Sequence, residues 1–173
     1  MDHVTLLAED GTAIGTRPKS EVHTVDTPLH LAFSCYVFDA RGRVLATRRA
    51  LSKRTWPGVW TNSFCGHPRP GEEMTAAVRR HGLGELGLQV DDLRVVLPDY
   101  RYRAVDASGI VENEVCPVHV AAVDGDPLAD PDEVAEWTWV DADALIEAAG
   151  NAPFAFSPWM GEQLPLLRAI GEI

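Results

Sequence analysis

The chain has 173 residues, 46% of them hydrophobic and 24% charged, an ordinary globular composition that sets aside the disordered, collagenous and fibrous classes. Its length suits one domain with room for a core and a pocket, and no apolar run approaches the ~18 residues that a membrane helix needs. The formal net charge of −11 argues against nucleic acid or an anionic lipid surface as a partner.

Residues 1–30 mix short apolar pieces with Gly and Pro and read as an extended arm or hairpin. The start, MDHVTLLAEDG, has no basic segment followed by an apolar one, so no export signal is expected. Residues 31–38 (LAFSCYVF) read as one buried strand, residues 39–42 as a turn, and residues 43–49 as the partner strand of a hairpin. Trp56-Pro57-Gly58 interrupts the chain, and residues 59–67 are expected to be extended. Residues 71–81 read as a helix, with Glu72 and Glu73 in its first turn and Met74, Ala77, Val78 and His81 on one face. The glycines of GLGELGL, at roughly 1 kcal/mol each, are expected to fray or end it. Residues 94–102 and 110–123 read as two strands, with a turn at Asp106-Ala107-Ser108-Gly109, and residues 136–140 as a short strand after an acidic loop. A helix with an Asp141 cap covers residues 141–149, and Ser157-Pro158 opens a last helix with Ser as N-cap and Pro at its first position. Strands and helices mix without regular βαβ alternation, which predicts an α+β or mixed-sheet α/β fold rather than a doubly wound one.

Cys35, Cys65 and Cys116 form an odd, sparse set without paired spacing. This argues against a disulfide framework and for a reducing compartment, so a cytoplasmic protein is expected. The acidic average hides a local reversal. Arg41, Arg43, Arg48, Arg49, Lys53 and Arg54 fall within fourteen residues that contain no acidic one. Such an island suits a small anionic ligand, or a solvated strand edge protected by charge. In IVENEVCPV, alternation puts Glu112, Glu114 and Cys116 on one face, where two carboxylates repel unless a cation or proton lies between them. With His23, His30 and His67 they make a mixed N/O set suited to Mn²⁺, Zn²⁺, Fe²⁺ or Mg²⁺, or else an ordinary solvent-facing strand and scattered histidines. Cys65 and His67 share a face if their segment is extended.

The stretch GHPRPGEEMTAAVRRHGLGELGL resembles a degenerate Nudix box, GX5EX7REUXEEXGU. Gly66, Glu72, Arg80, Glu85, Gly87 and Leu88 match it; His81 stands where the box has Glu, Gly82 where it has an aliphatic residue, and Gly84 where it has Glu. Loss of the carboxylate at position 84 predicts a poor hydrolase. Outside the box, TRRALSK, PGVWTNSFCGHP, YRYRA, GIVENEVCPV and FSPWM occur in this order, and together they resemble the type 1 isopentenyl diphosphate isomerases along nearly the whole chain.

That resemblance implies a single Nudix-like α/β domain, a mixed β-sheet sandwiched by helices, with residues 30–173 as the catalytic part and residues 1–29 as an arm that completes the site and folds over it on binding. It implies one divalent metal, Mn²⁺, Mg²⁺ or Zn²⁺, held by His23, His30, His67, Glu112 and Glu114, and Mg²⁺ bridging the substrate diphosphate to Glu85. Lys19, Arg49 and Lys53 are implied to grip the diphosphate, and Arg80 to support the box by ion pairing. Cys65 and Glu114 are implied as the acid–base pair on opposite faces of the alkene, Tyr102 as a hydrogen-bond partner near the glutamate, and Trp159 as an indole over a tertiary carbocation. The implied partner is a small isoprenoid diphosphate, with neither nucleic acid nor membrane, and the protein is expected to be a monomer or weak homodimer. A nucleotide-type Nudix hydrolase and a Nudix-fold binder without turnover are the competing readings.

Overall fold

The protein is described by a computed structural model over residues 2–173; Met1, the first residue of the expected arm, lies outside the described residues. The elements follow in order: β1 (His3–Leu7), β2 (Ala13–Pro18), α1 (Lys19–Val22), β3 (His30–Leu31), β4 (Phe33–Phe38), β5 (Val44–Arg49), β6 (Trp60–Thr61), β7 (Phe64–Gly66), α2 (Met74–Leu86), β8 (Asp91–Leu97), β9 (Arg101–Val105), β10 (Val111–Val115), β11 (Val118–Ala122), β12 (Val134–Val140), α3 (Ala142–Asn151) and α4 (Pro158–Ala169). They build two sheets. One has the order β2-β1-β3-β10-β9; the other has the order β12-β5-β4-β11-β8, with β6 added to β5 and β7 to β4.

β4 lies at the middle of the larger sheet, and its alternation explains the layers. Phe33, Cys35 and Val37 enter one core with Ala77, Val78 and Leu86 of α2; Tyr36 and Phe38 join the other with Leu145 of α3 and Trp159, Met160 and Leu164 of α4. The larger sheet is therefore sandwiched between α2 and the α3–α4 pair, as expected, although the strands form two sheets instead of one. Fully burying each such Val, Leu or Phe contributes roughly 1.5–3 kcal/mol.

Three expected strands are broken, for one topological reason: the chain passes between the sheets. Residues 31–38 divide at Ala32 into β3 and β4, and residues 110–123 divide at Cys116-Pro117 into β10 and β11. These two paths run parallel and cross together, since β10 pairs with β3 and β11 with β4. The N–H groups of Ala32 and Ser34 keep partners across the break in the carbonyls of Val115 and Pro117. Pro117 has no N–H to lend a continuous ladder, which suits the break to this position. Residues 94–102 likewise split into β8 and β9 around Pro98-Asp99.

The box helix also differs from expectation. Glu72 and Glu73 precede α2, whose N-cap Glu73 is extended, and the helix runs past His81 to Leu86. Gly82 is buried, and an added Cβ there would lie 3.3 Å from Phe64 and Val90, so the glycine admits close packing that offsets its low propensity. Gly87, with φ 65°, closes the helix through a left-handed cap with hydrogen bonds to the carbonyls of Gly82 and Leu83. Asp141 caps α3 as expected. Ser157 precedes α4 without a side-chain cap, because its hydroxyl is engaged with Thr61 Oγ1 at 2.8 Å.

Candidate active site

The smaller sheet sets the central row of side chains by register. Glu114 of β10 is paired with His30 on parallel β3 and with Tyr102 on antiparallel β9. The consequence is direct: Glu114 Oε2 accepts the Tyr102 hydroxyl at 2.9 Å, and Oε1 lies 3.4 Å from His30 Nε2 and 3.0 Å from His67 Nε2. His30 Nδ1 donates to the Pro28 carbonyl at 2.9 Å, which aims Nε2 into the site. Two residues along β10, Glu112 faces the same side; its Oε1 accepts the Thr55 hydroxyl at 2.8 Å and its Oε2 lies 2.9 Å from His23 Nε2. The β1–β2 hairpin pairs with β3, and α1 carries Lys19 and His23 from it to the pocket.

Burial decides the charge state of this cluster. It drives the His67 pKa down to about 3, beyond what the neighbouring Glu114 restores, so the ring is neutral near pH 7 and keeps a lone pair. Burial works against ionised Glu114 as well, but hydrogen bonds from His30 and His67 outweigh it and hold the carboxyl well below its usual range. His23, His30, His67 and Glu114 each offer a ligand atom, and these atoms lie within 4.8 Å of one another. His23 Nε2, His67 Nδ1 and Glu112 Oε2 are buried without a hydrogen-bond partner among the described residues, although His23 and Glu112 are in close contact. Three imidazoles and a carboxylate gathered this closely, with unsatisfied polar atoms on His23, His67 and the adjoining Glu112, fit a divalent cation.

Beside the cluster, β7 pairs with β4 so that Cys65 faces Ser34. Cys65 Sγ lies 3.4 Å from Ser34 Oγ and donates to Asn62 Oδ1 at 3.2 Å. Burial pushes its pKa up to about 11, so it carries its proton near neutral pH. Cys35 and Cys116 are buried free thiols. Trp159 in the first turn of α4 donates from Nε1 to the same Asn62 oxygen at 3.0 Å. Its indole meets Tyr102 at 5.6 Å and Trp56 edge-on at 5.4 Å, and the Arg49 guanidinium lies 5.4 Å from its centroid.

One cavity of about 480 Å³ collects these groups. Of the twelve expected site residues, His30 lies beneath its wall, and the other eleven line it, Lys19, Arg49, Lys53 and Glu85 included. The basic residues are less free than a bare anion clamp. Lys53 Nζ is paired with Glu133, and burial lowers the Lys53 pKa to about 8. Arg49 is held by the carbonyls of Thr55 and Trp56. Arg48 turns away to Glu136. Glu112 and Glu85 both stand outside the four-residue cluster; Glu112 adjoins it through His23, and Glu85 accepts from His81 Nδ1, 2.5 Å away and one turn earlier on α2. A Cβ on Gly66 would fall 2.6 Å from the His81 ring, so the glycine of the CGH tripeptide makes room for that imidazole. Arg80 forms a two-pronged pair with Glu72, as expected.

Asn62, Ser34, Thr55, Trp56 and Glu133 were not anticipated. The polar run Thr61-Asn62-Ser63 between apolar neighbours was the available signal, because buried polar groups there need partners. Trp56 holds φ 44°, which is uncommon for a bulky residue and marks a strained loop against the site.

A NUDIX domain model matches residues 28–165. The chain is 61% identical over 166 residues to the isopentenyl-diphosphate Delta-isomerase of Clavibacter michiganensis subsp. michiganensis, covering 95% of this chain and 84% of that protein. It is 60% identical over 163 residues to the isopentenyl-diphosphate Delta-isomerase of Frankia alni, covering 94% and 84%. Among solved structures, DR0079 from Deinococcus radiodurans is similar in fold, with a TM-score of 0.67 at 17% identity over 87% of this chain and 90% of that one. No described helix is long and apolar enough to cross a membrane.

Proposed function

The chain belongs to the isopentenyl-diphosphate Delta-isomerase family and carries its NUDIX domain, and from that premise we propose how its pocket interconverts isopentenyl diphosphate and dimethylallyl diphosphate in isoprenoid biosynthesis. The observation that carries the reading is the row His30–Glu114–Tyr102, set by strand register, facing a cavity that also holds Cys65 and Trp159.

The reaction moves a double bond, adding a proton at one carbon and removing one from another. An unactivated alkene is a weak base, so the barrier lies in forming a tertiary cation away from water. Cys65 is the donor: its thiol is protonated near neutral pH and lines the cavity. Glu114 takes the second proton, supported by the Tyr102 hydroxyl on one oxygen and the histidines on the other. In the reverse direction the two exchange roles. The indole of Trp159, inclined to Tyr102 and met by Trp56, presents an aromatic face to the developing cation, an interaction worth ~2 kcal/mol or more when desolvated. Lys19, Arg49 and Lys53 bind the diphosphate, with Lys53 passing from Glu133 to the incoming anion.

His23, His30, His67 and Glu114, joined by Glu112 beside His23, would hold one divalent ion, Mn²⁺, Mg²⁺ or Zn²⁺, and Glu85 would help to hold a Mg²⁺ together with the diphosphate. When bound, these cations supply positive charge that fixes the carboxylates and neutralises the diphosphate. Three free thiols suit a reducing, cytoplasmic setting. Turnover followed by proton NMR with Mg²⁺ and isopentenyl diphosphate tests the reading. Formation of dimethylallyl diphosphate supports it, whereas release of inorganic phosphate would assign a hydrolase, and unchanged substrate a binder.

A further inference from the structure

Asn62 is fully buried, and every hydrogen-bonding position of its side chain is used. Nδ2 donates to the carbonyls of Cys35 at 3.0 Å and Phe64 at 2.8 Å. Oδ1 accepts from Thr61 Oγ1 at 2.9 Å, Trp159 Nε1 at 3.0 Å and Cys65 Sγ at 3.2 Å. The orientation of the amide is forced, because backbone carbonyls can only accept and an indole N–H can only donate. A single oxygen, tied through its own amide to β4 and β7, therefore anchors side chains from two distant parts of the chain.

We propose that Asn62 is a positioning residue for the isomerisation, its side-chain oxygen fixing the Cys65 thiol and the Trp159 indole relative to each other and to the alkene between them. The inference rests on the roles given above to Cys65 and Trp159. A second anchor acts on the thiol from the other side. Tyr36 donates to Gln163 Oε1 at 2.9 Å, and Gln163 Nε2 donates to Ser34 Oγ at 3.0 Å, which leaves the Ser34 proton for Cys65 or Cys116 Sγ. The sulfur is thus held between Asn62 and Ser34, while the indole has Asn62 alone as partner for its N–H. A displacement of ~1 Å in such a pair costs about 100-fold in rate, and the hydrogen bonds of Asn62 itself reach none of Lys19, Arg49 and Lys53.

The test compares kcat and KM for isopentenyl diphosphate in Asn62→Leu, Asn62→Asp and Ser63→Ala. Ser63 is the control: it is fully buried in the same segment, and its hydroxyl bridges the Leu45 carbonyl and the Val37 N–H without reaching Cys65 or Trp159. Asn62→Leu is expected to lose about 100-fold in kcat with KM within about twofold, and Ser63→Ala to keep wild-type kcat at reduced stability. Asn62→Asp keeps the acceptor and loses both N–H donors, so it is expected to retain more kcat than Asn62→Leu. The indole N–H resonance of Trp159, assigned with Trp159→Phe, is expected to shift upfield in Asn62→Leu. Should Asn62→Leu not fold, Asn62→Asp decides with the same indole resonance, expected to stay near its wild-type position. Wild-type kcat in a folded Asn62→Leu would overturn the proposal. So would an equal kcat loss in Ser63→Ala, or an Asn62→Asp whose indole resonance moves as an unbonded one does. Full turnover in Cys65→Ala would instead remove the reading on which the proposal rests, whatever the Asn62 variants do.

Discussion

Replacing Glu72 with glutamine removes a charge that secures the site from outside the pocket. The carboxylate accepts from Arg80 Nε at 2.8 Å, Arg80 Nη2 at 2.7 Å and the Arg69 N–H at 2.8 Å, and Arg80 also donates to the His67 carbonyl at 3.3 Å. The Arg80 hydrogen bonds, partly opposed by burial, hold the Glu72 pKa at about 2 against an ordinary 4.5. A folded-state pKa below the unfolded one stabilises the fold fully above the unfolded value, and the contribution is lost as pH falls through the folded value. At about 1.4 kcal/mol per tenfold change in proton affinity, that interval sets an upper bound of about 3 kcal/mol at pH 7, which solvent screening of this surface pair reduces to about 1–2 kcal/mol. It falls to a few tenths of a kcal/mol near pH 2. Urea unfolding of wild type and Glu72→Gln across pH 7 to 2 measures it, because the other titrating groups cancel in the difference. We expect a gap of about 1–2 kcal/mol at neutral pH that closes between pH 4.5 and 2. A gap that does not change with pH, or one below about 0.5 kcal/mol at pH 7, would refute the ion-pair argument.

Cys65→Ala should lower kcat by about 10²–10⁴ while metal analysis finds the His/Glu centre still loaded; loss of the metal would make Cys65 structural instead. His81→Leu releases Glu85 from its neighbour, and with a charged hydrogen bond worth ~1.5–3 kcal/mol the Mg²⁺ concentration for half-maximal turnover should rise about tenfold or more. An unchanged Mg²⁺ requirement would disconnect the His81–Glu85 pair from metal use. Chelation should lower the melting temperature by ~5–10 °C, as expected for a ligand present at about 100 times its dissociation constant. Mn²⁺ should restore it in wild type and fail to do so in His67→Ala, and equal recovery in both would place the ion elsewhere.

The readable parts of the sequence were those in which one local pattern decides the outcome. The alternation of FSCYVF and the Asp141 cap survive in the structure, and CGH meets ENE there through His67 and Glu114. What escaped depends on partners far away in sequence. Apolar runs at 31–38 and 110–123 look continuous because local periodicity does not register a passage between sheets, which only their mutual pairing reveals. The glycines at 82 and 84 signalled a helix end by propensity, but Gly82 packs tightly against Phe64 and Val90 and α2 continues. Lys53 reads as a free cation until Glu133, 80 residues on, is found against it. Asn62 escaped for the same reason: its importance lies in joining Cys65 to an indole 97 residues away.

The central claim is that two different protein groups, each in exchange with solvent, add and remove the protons. Turnover of isopentenyl diphosphate in D₂O, followed by proton and deuterium NMR, tests it most directly. The account predicts dimethylallyl diphosphate carrying deuterium in the methyl group formed by protonation. Dimethylallyl diphosphate free of deuterium would mean an internal hydrogen shift and contradict the account, and inorganic phosphate without isomer would contradict it as well.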